Sequence, residues 1–307
     1  MFPSNIETII NEIEADNRTG AAELTVKAVQ ALQLLGKTDG NRDEMPDELV
    51  ALGVRLIQAQ PRMASMFALV NGALLEMAEP NAPPPSAFLE RYCAKFLDDL
   101  DAGEDALARK ASGVLREGDT VLTHSSSSMV RETLLAAAEA GKKPQVICTE
   151  SRPVCEGVTL ATELAEHGIP ARLIPDAAMA SFLPQADLVL VGADAVREQG
   201  FFNKIGTKML AMAAQTLSVD LYVLCTSHKF LPPDAELPPQ KDRDPAEVLQ
   251  RPPKGVTPCN IYFEETPLKY CSSIITEGGI LKPGKLKQKL HGLKTAPRLK
   301  RLLSDKP

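Results

Sequence analysis

Apolar residues in the first third of the chain recur only at helical spacing. Ile6, Ile9, Ile10 and Ile13 stand at i, i+3, i+4 and i+7, one face of a helix. Leu24, Ala28, Ala31, Leu32 and Leu35 make a second such face, and Gly36 is placed to end it. Pro46 and Pro61 fit the first turns of two further helices, over residues 47–58 and 62–77, because a first turn does not need the N–H that proline lacks. The stretch 79–85 holds four prolines and predicts a stiff loop. Another helix is expected from residue 87 towards 115.

The pattern changes at Gly118-Asp119. Short apolar runs at 120–123, 146–149, 172–174, 188–191 and 221–225 alternate with helical stretches at 129–140, 160–166, 179–183 and 204–217. The runs are continuously apolar, as in strands of a parallel sheet covered on both faces. Their alternation with helices predicts βαβ units in an open sheet. The expected fold is therefore α/β. An N-terminal helical domain over 1–117 precedes a Rossmann-like doubly wound parallel-sheet domain over 118–285, with a basic C-terminal tail over 286–307. The tail is expected because residues 282–301 hold eight Lys and Arg and no acid.

Composition narrows the class. With 307 residues, 44% hydrophobic and 24% charged, the chain can bury a sizeable core without disulfide or metal staples. No apolar run approaches the roughly 18 residues of a membrane span, and the acidic, amphipathic start does not read as a secretory signal. Six cysteines without a CxxC pair read as free thiols in a reducing compartment. A soluble, cytoplasmic protein is expected. The net charge of −6 argues against a nucleic-acid partner.

Familiar enzyme signatures are missing. There is no GxGxxG, no GxxxxGK[ST] and no GxSxG elbow, and four scattered histidines suggest no metal site. No cofactor or metal is expected. What remains lies at strand ends, where such a sheet keeps its ligand. Thr123-His124-Ser125-Ser126-Ser127-Ser128 leads into a helix and reads either as an anion site or as a plain helix cap. Arg152, in Glu150-Ser151-Arg152-Pro153, is a fork-shaped donor for phosphate or a surface ion-pair partner. Asp194, in Gly192-Ala193-Asp194, could be a general acid/base or a helix cap. Asn203 and Lys204, read as opening a helix, match phosphate binding at a helix N-terminus. One carboxylate, two cations and a hydroxyl cluster around one crevice favour a phosphorylated polyol.

These segments, in this order, resemble the superfamily that unites the alpha, beta and delta regulatory subunits of initiation factor 2B with two aldose–ketose isomerases. The isomerases act on methylthioribose 1-phosphate and ribose 1,5-bisphosphate. The resemblance rests on Thr123-His124-Ser125, on Glu150 to Pro153 and on Val191 through Thr207, with Arg243-Asp244-Pro245 and Ile275 through Ile280 further on. It implies a site between the helical and sheet domains, dimerisation through the sheet domain, and a contribution from Gly20-Ala21. It implies a ligand shell of Gly20, Ala21, Arg62, His124, Ser126, Arg152, Glu156, Asn203 and Lys204. The isomerases use a cysteine and an aspartate. The aspartate position is Asp194, and the cysteine position is Ser125. A thiol of pKa about 8.5 exchanges protons near neutrality, whereas an unactivated serine hydroxyl does so far less readily. Gln60 replaces an arginine that touches ligand in the isomerases, although Arg62 is close by, and Glu156 replaces a glutamine.

The expected function is an initiation-factor-2B-related protein that binds a phosphosugar or nucleoside monophosphate without isomerising it. The alternative is an isomerase with Asp194 as acid/base and Cys148 or Cys155 in place of the thiol. A third reading is an assembly subunit with a vestigial crevice and a basic C-terminus that docks on an acidic partner or RNA. A homodimer or higher homo-oligomer is expected in each case, with no membrane partner.

Overall fold

The computed structural model describes residues 2–16, 19–38, 45–79, 84–240 and 242–304. Five helices come first: α1 (Ser4–Ala15), α2 (Ala21–Gly36), α3 (Met45–Ala59), α4 (Ala64–Met77) and α5 (Pro85–Ser112). The isoleucine face of α1 is buried as its spacing predicts. Helix α4 is buried on nearly every side and forms the centre of this layer. It begins two residues later than expected, because Pro61-Arg62 make a turn. The Ala64 N–H then donates to the Asp194 carbonyl at 2.9 Å, tying the start of α4 to the sheet layer. Of the expected proline loop, residues 80–83 lie outside the described residues; Pro85 already opens α5.

The expected alternation follows. It runs β1 (Thr120–Thr123), α6 (Ser128–Glu139), β2 (Gln145–Thr149), α7 (Glu156–Glu166), β3 (Ala171–Ile174), α8 (Met179–Phe182) and β4 (Leu188–Gly192). After β5 (Ala195–Val196) and β6 (Gly200–Lys204) come α9 (Thr207–Thr216) and β7 (Asp220–Leu224). The chain closes with β8 (Phe263–Pro267), β9 (Ser273–Thr276), β10 (Gly279–Leu281), α10 (Pro283–His291) and α11 (Pro297–Ser304). The main sheet has the order β10-β9-β7-β4-β1-β2-β3 and is parallel except for β10. The chain leaves β1 towards β2 and β3 on one side and returns to β4 on the other. The switch point of this α/β fold therefore lies between β1 and β4, and a crevice is expected beyond their carboxyl ends.

Three features differ from the sequence reading. Asn203 and Lys204 end strand β6 rather than opening a helix. That strand belongs to a separate antiparallel sheet, β5-β6-β8, whose alternate residues face two cores: Phe202 packs with the N-terminal helices and Phe201 with the main sheet. Helix α5 is likewise shared. Phe88 and Cys93 lie in the helical core and Leu107 and Ala111 in the sheet core, so the two cores meet inside α5 and not at Gly118.

The basic stretch does not run free as a tail. Leu286 and Leu290 of α10 are buried in the sheet core, and Ala296 and Leu299 in the helical core. Asn71 holds the connection between α10 and α11, donating to the Lys294 carbonyl and accepting from the Ala296 N–H. The cations face outward, where Arg298 pairs with Asp47 and Lys300 with Asp234. Among the described residues, no helix is long and apolar enough to cross a membrane.

Leu286→Ala and Leu299→Ala should each cost about 2–4 kcal/mol through lost burial and the cavity left behind. Urea unfolding reads this directly. A loss below about 0.5 kcal/mol at both positions would return the segment to a solvated tail.

Candidate functional site

A crevice of about 290 Å³ lies at the switch point, between the start of α2 and the carboxyl ends of β1 and β4. It is lined by Gly20, Ala21, Ser125, Ser126, Glu156, Asp194, Asn203 and Lys204, which brings together most of the residues singled out in the sequence. A larger cavity, about 480 Å³, opens between α4 and α5 on the other face of the segment 227–229. Lys229 lines the crevice and His228 the larger cavity. Polar groups from several strand ends converge only on the crevice, which makes it the better candidate.

Its centre is an ion pair. The Lys204 ammonium, with its side chain 5% exposed, lies 2.9 Å from one oxygen of Glu156 and 3.1 Å from the other. The Ser125 hydroxyl donates to the same carboxylate at 2.9 Å. Tyr262 closes the far side of the ammonium, with its ring centroid 4.8 Å from Nζ. Glu156 sits in the first turn of α7, where a carboxylate is favoured by the helix dipole. For α7 to start this close to β2, Gly157 is needed, because a Cβ there would come within 1.8 Å of the Thr149 carbonyl oxygen.

His124 lies beneath this centre and does not line the crevice. Its Nε2 is 2.7 Å from the Ile205 carbonyl, which can only accept, and its Nδ1 is 2.7 Å from the Thr149 hydroxyl. Burial pushes the imidazole below its usual 6.5. The ring is therefore neutral, with the proton on Nε2, and Nδ1 accepts from Thr149. Thr149 in turn accepts from the Ser151 hydroxyl at 2.9 Å, and Ser151 accepts from the Ser125 N–H at 2.8 Å. This chain of hydrogen bonds fixes Ser125, whose φ of 72° is in the left-handed region, as are those of Ser151 (64°) and Cys155 (62°). Such conformations cost about 1–3 kcal/mol each and persist where the surroundings over-determine them. Gly206, at φ 104°, completes the packing, since a Cβ there would approach His124 Nε2 to 2.9 Å.

Asp194 is partly buried in the crevice. Burial pushes its carboxyl up, Lys229 and Lys204 act to lower it, and Glu156 adds to the rise. Asn203 is buried and donates to the Thr207 hydroxyl at 3.0 Å. The N-terminus of α9 is not open to a phosphate, because the Glu264 carboxylate already accepts from the Gly206 and Lys208 N–H groups.

Besides His124, two further expected ligands lie outside the crevice. Arg152 is exposed and donates to the Glu247 and Val248 carbonyls. Arg62 stands over the Phe202 ring, 4.7 Å from its centroid, and lines a separate small cleft. Gln60 is occupied structurally: it donates to the Ile13 and Asp16 carbonyls and accepts from Arg243. Neither Cys148 nor Cys155 lines the crevice, and burial in the sheet core pushes the Cys148 thiol up to about 12. Sequence reasoning misses Lys229, although it follows the end of β7 and the same strand-end rule reaches it. Arg131, paired with Glu163 at 3.0 Å, also lines the crevice. Among the described residues, no three His, Cys, Asp or Glu side chains gather as a metal site.

Comparison with known proteins gives the family and the fold. The model of the initiation factor 2 subunit family matches residues 17–283. The chain belongs to that family. Within it, ribose 1,5-bisphosphate isomerase of Methanocaldococcus jannaschii is 32% identical over 277 residues, covering 89% of this chain and 88% of that one. The crystal structure of a translation initiation factor eIF-2B from Pyrococcus horikoshii superposes with a TM-score of 0.79 at 30% identity, covering 92% of this chain and 98% of the other. The 5-methylthioribose 1-phosphate isomerase of the same organism shares the fold, with a TM-score of 0.71 at 24% identity over 92% of this chain and 86% of that one. This initiation factor 2 subunit family member thus has named relatives on both sides of the resemblance, initiation factors and isomerases.

A buried neutral His124 makes a pH prediction. Its folded-state pKa lies below the 6.5 of the unfolded chain, so the unfolded chain takes up the proton first as pH falls. Stability is full above 6.5 and is lost as pH drops from there towards the folded-state value. His124→Asn should flatten this part of the profile of urea midpoints against pH. A variant profile parallel to the wild type would contradict the assignment.

Proposed function

We propose that this protein binds a phosphorylated pentose or a nucleoside monophosphate in the crevice and does not isomerise it. The observation that carries this reading is the state of Ser125. Its hydroxyl is a donor to a carboxylate that Lys204 already holds. A serine hydroxyl so placed cannot take over the proton exchange of a thiol of pKa about 8.5. The rest of the crevice suits a phosphorylated polyol. Lys229 and the hydroxyls of Ser126, Ser127 and Ser128 offer donors to a phosphate, and Asp194 and Asn203 offer acceptor and donor to sugar hydroxyls. The protein acts as a homo-oligomer in this reading; exposed Met209, Met212 and Leu217, on α9 and just beyond it, are apolar surface for such an assembly.

A second reading is favoured by one observation. Asp194 lines the crevice with its carboxyl raised by burial, as a general acid/base would need, and the M. jannaschii relative is named an isomerase. The assay is incubation with ribose 1,5-bisphosphate and with methylthioribose 1-phosphate, followed by carbon NMR. The wild type should yield no ketose above the protein-free background, and Ser125→Cys should exceed that background by at least about a hundredfold. Ketose made by the wild type and lost in Asp194→Asn would overturn the proposal in favour of the isomerase.

A further inference from the structure

Three cations line the crevice: Arg131, Lys204 and Lys229. Two of them are already neutralised by this chain's own carboxylates. Arg131 lies 3.0 Å from Glu163 and 3.0 Å from Glu132, and Lys204 lies 2.9 Å from Glu156. Lys229 makes no ion pair among the described residues; Asp194 and Glu104 act on it only at longer range. The crevice therefore offers one cation to an incoming phosphate. Near Lys204 a phosphate would meet the Glu156 carboxylate, which also accepts from the Ser125 hydroxyl and so has two partners holding it there. Displacing it would leave a carboxylate without its cation in a partly buried place, and keeping it would set like charges side by side.

We infer that Glu156 selects the ligand by charge, admitting a sugar or nucleoside with one phosphate, seated at Lys229, and rejecting a second phosphate at Lys204. This rests on the proposed binding of a phosphorylated pentose or nucleotide. It adds that Lys204 and Glu156 together present a net-neutral, hydroxyl-accepting surface to the unphosphorylated end of the ligand. A glutamine at this position would leave Lys204 free for a second anion, so the same crevice can serve a bisphosphate or a monophosphate according to one residue.

Calorimetric titration of wild type and Glu156→Gln with ribose 5-phosphate, adenosine monophosphate and ribose 1,5-bisphosphate tests this. The wild type should bind one or both monophosphates at least about tenfold more tightly than the bisphosphate, the scale of a like-charge contact. The two monophosphates distinguish a sugar ligand from a nucleoside ligand. In Glu156→Gln the ratio should move by at least about tenfold towards the bisphosphate. A wild type that binds the bisphosphate as tightly, or a folded variant with an unchanged ratio, would overturn charge selection while leaving the binding reading in place. Silence from all three ligands in both proteins would overturn the binding reading itself, and charge selection with it. Because Glu156→Gln strands a buried ammonium and can lower the melting temperature, the wild-type ratio and Lys229→Ala provide a second arm. Lys229→Ala should lose at least about tenfold in monophosphate affinity, and an unchanged affinity would contradict the placement.

Discussion

A lysine that ends a buried strand must find an anion, and much of the site follows from that need. Removing an ammonium from water costs several kcal/mol, about as much as pairing can return, so Lys204 is stable only beside a well-placed carboxylate. Glu156 meets it from the first turn of α7. That meeting brings the start of α7 against the end of β2, where only a glycine fits at 157, and sends the chain through left-handed residues at Ser151 and Cys155. The same carboxylate captures the Ser125 hydroxyl, so the loops after β1 and β2 are joined across the crevice by one side chain. Beneath them the neutral His124 continues the connection through Thr149 and Ser151 to the backbone of Ser125.

The crevice also depends on how firmly the helical layer is held over the sheet. Four connections do this. Helix α5 contributes to both cores, and the β5-β6 ribbon puts Phe201 into one and Phe202 into the other. The Ala64 N–H ties α4 to the backbone of Asp194 itself. Helix α11 returns from the sheet layer to the helical core, with Asn71 securing its approach. Gly20 and Ala21, which line the crevice from α2, are thereby held opposite the strand ends without any contact between α2 and the ion pair being required.

Much of this is legible in the sequence, and the failures have physical causes. Continuous apolar runs mark the central strands, because a parallel strand buried on both faces needs apolar side chains all along it. The rule that ligands gather at strand ends reaches Ser125 and Asp194 from the sequence alone, Lys204 is reached through a helix start that it does not in fact make, and the family resemblance adds Glu156. Strand β6 escapes the pattern because Phe201-Phe202 is too short to show its alternation, and the glycine and threonine that follow Lys204 look like a helix start. Arg62 and Arg152 turn away from the crevice, since chain position says nothing about where a long side chain points. At the end of the chain the charge is misleading and the leucines are the informative residues: Leu286 and Leu290 lie one helical turn apart on α10, Leu299 lies on α11, and all three are buried. No pattern in the sequence shows that Glu156 faces Lys204, which lies 48 residues away.

The crevice of this family member carries charges that are largely balanced within the chain. The carboxylate of Glu156 holds the Ser125 hydroxyl and quenches Lys204 at the same time. The most direct test is diffraction from crystals soaked with ribose 5-phosphate. The account predicts phosphate density beside Lys229 and the hydroxyls of Ser126, Ser127 and Ser128, with Lys204 and Glu156 still within ion-pair distance. A phosphate resting on Lys204, with Glu156 turned away, would contradict it.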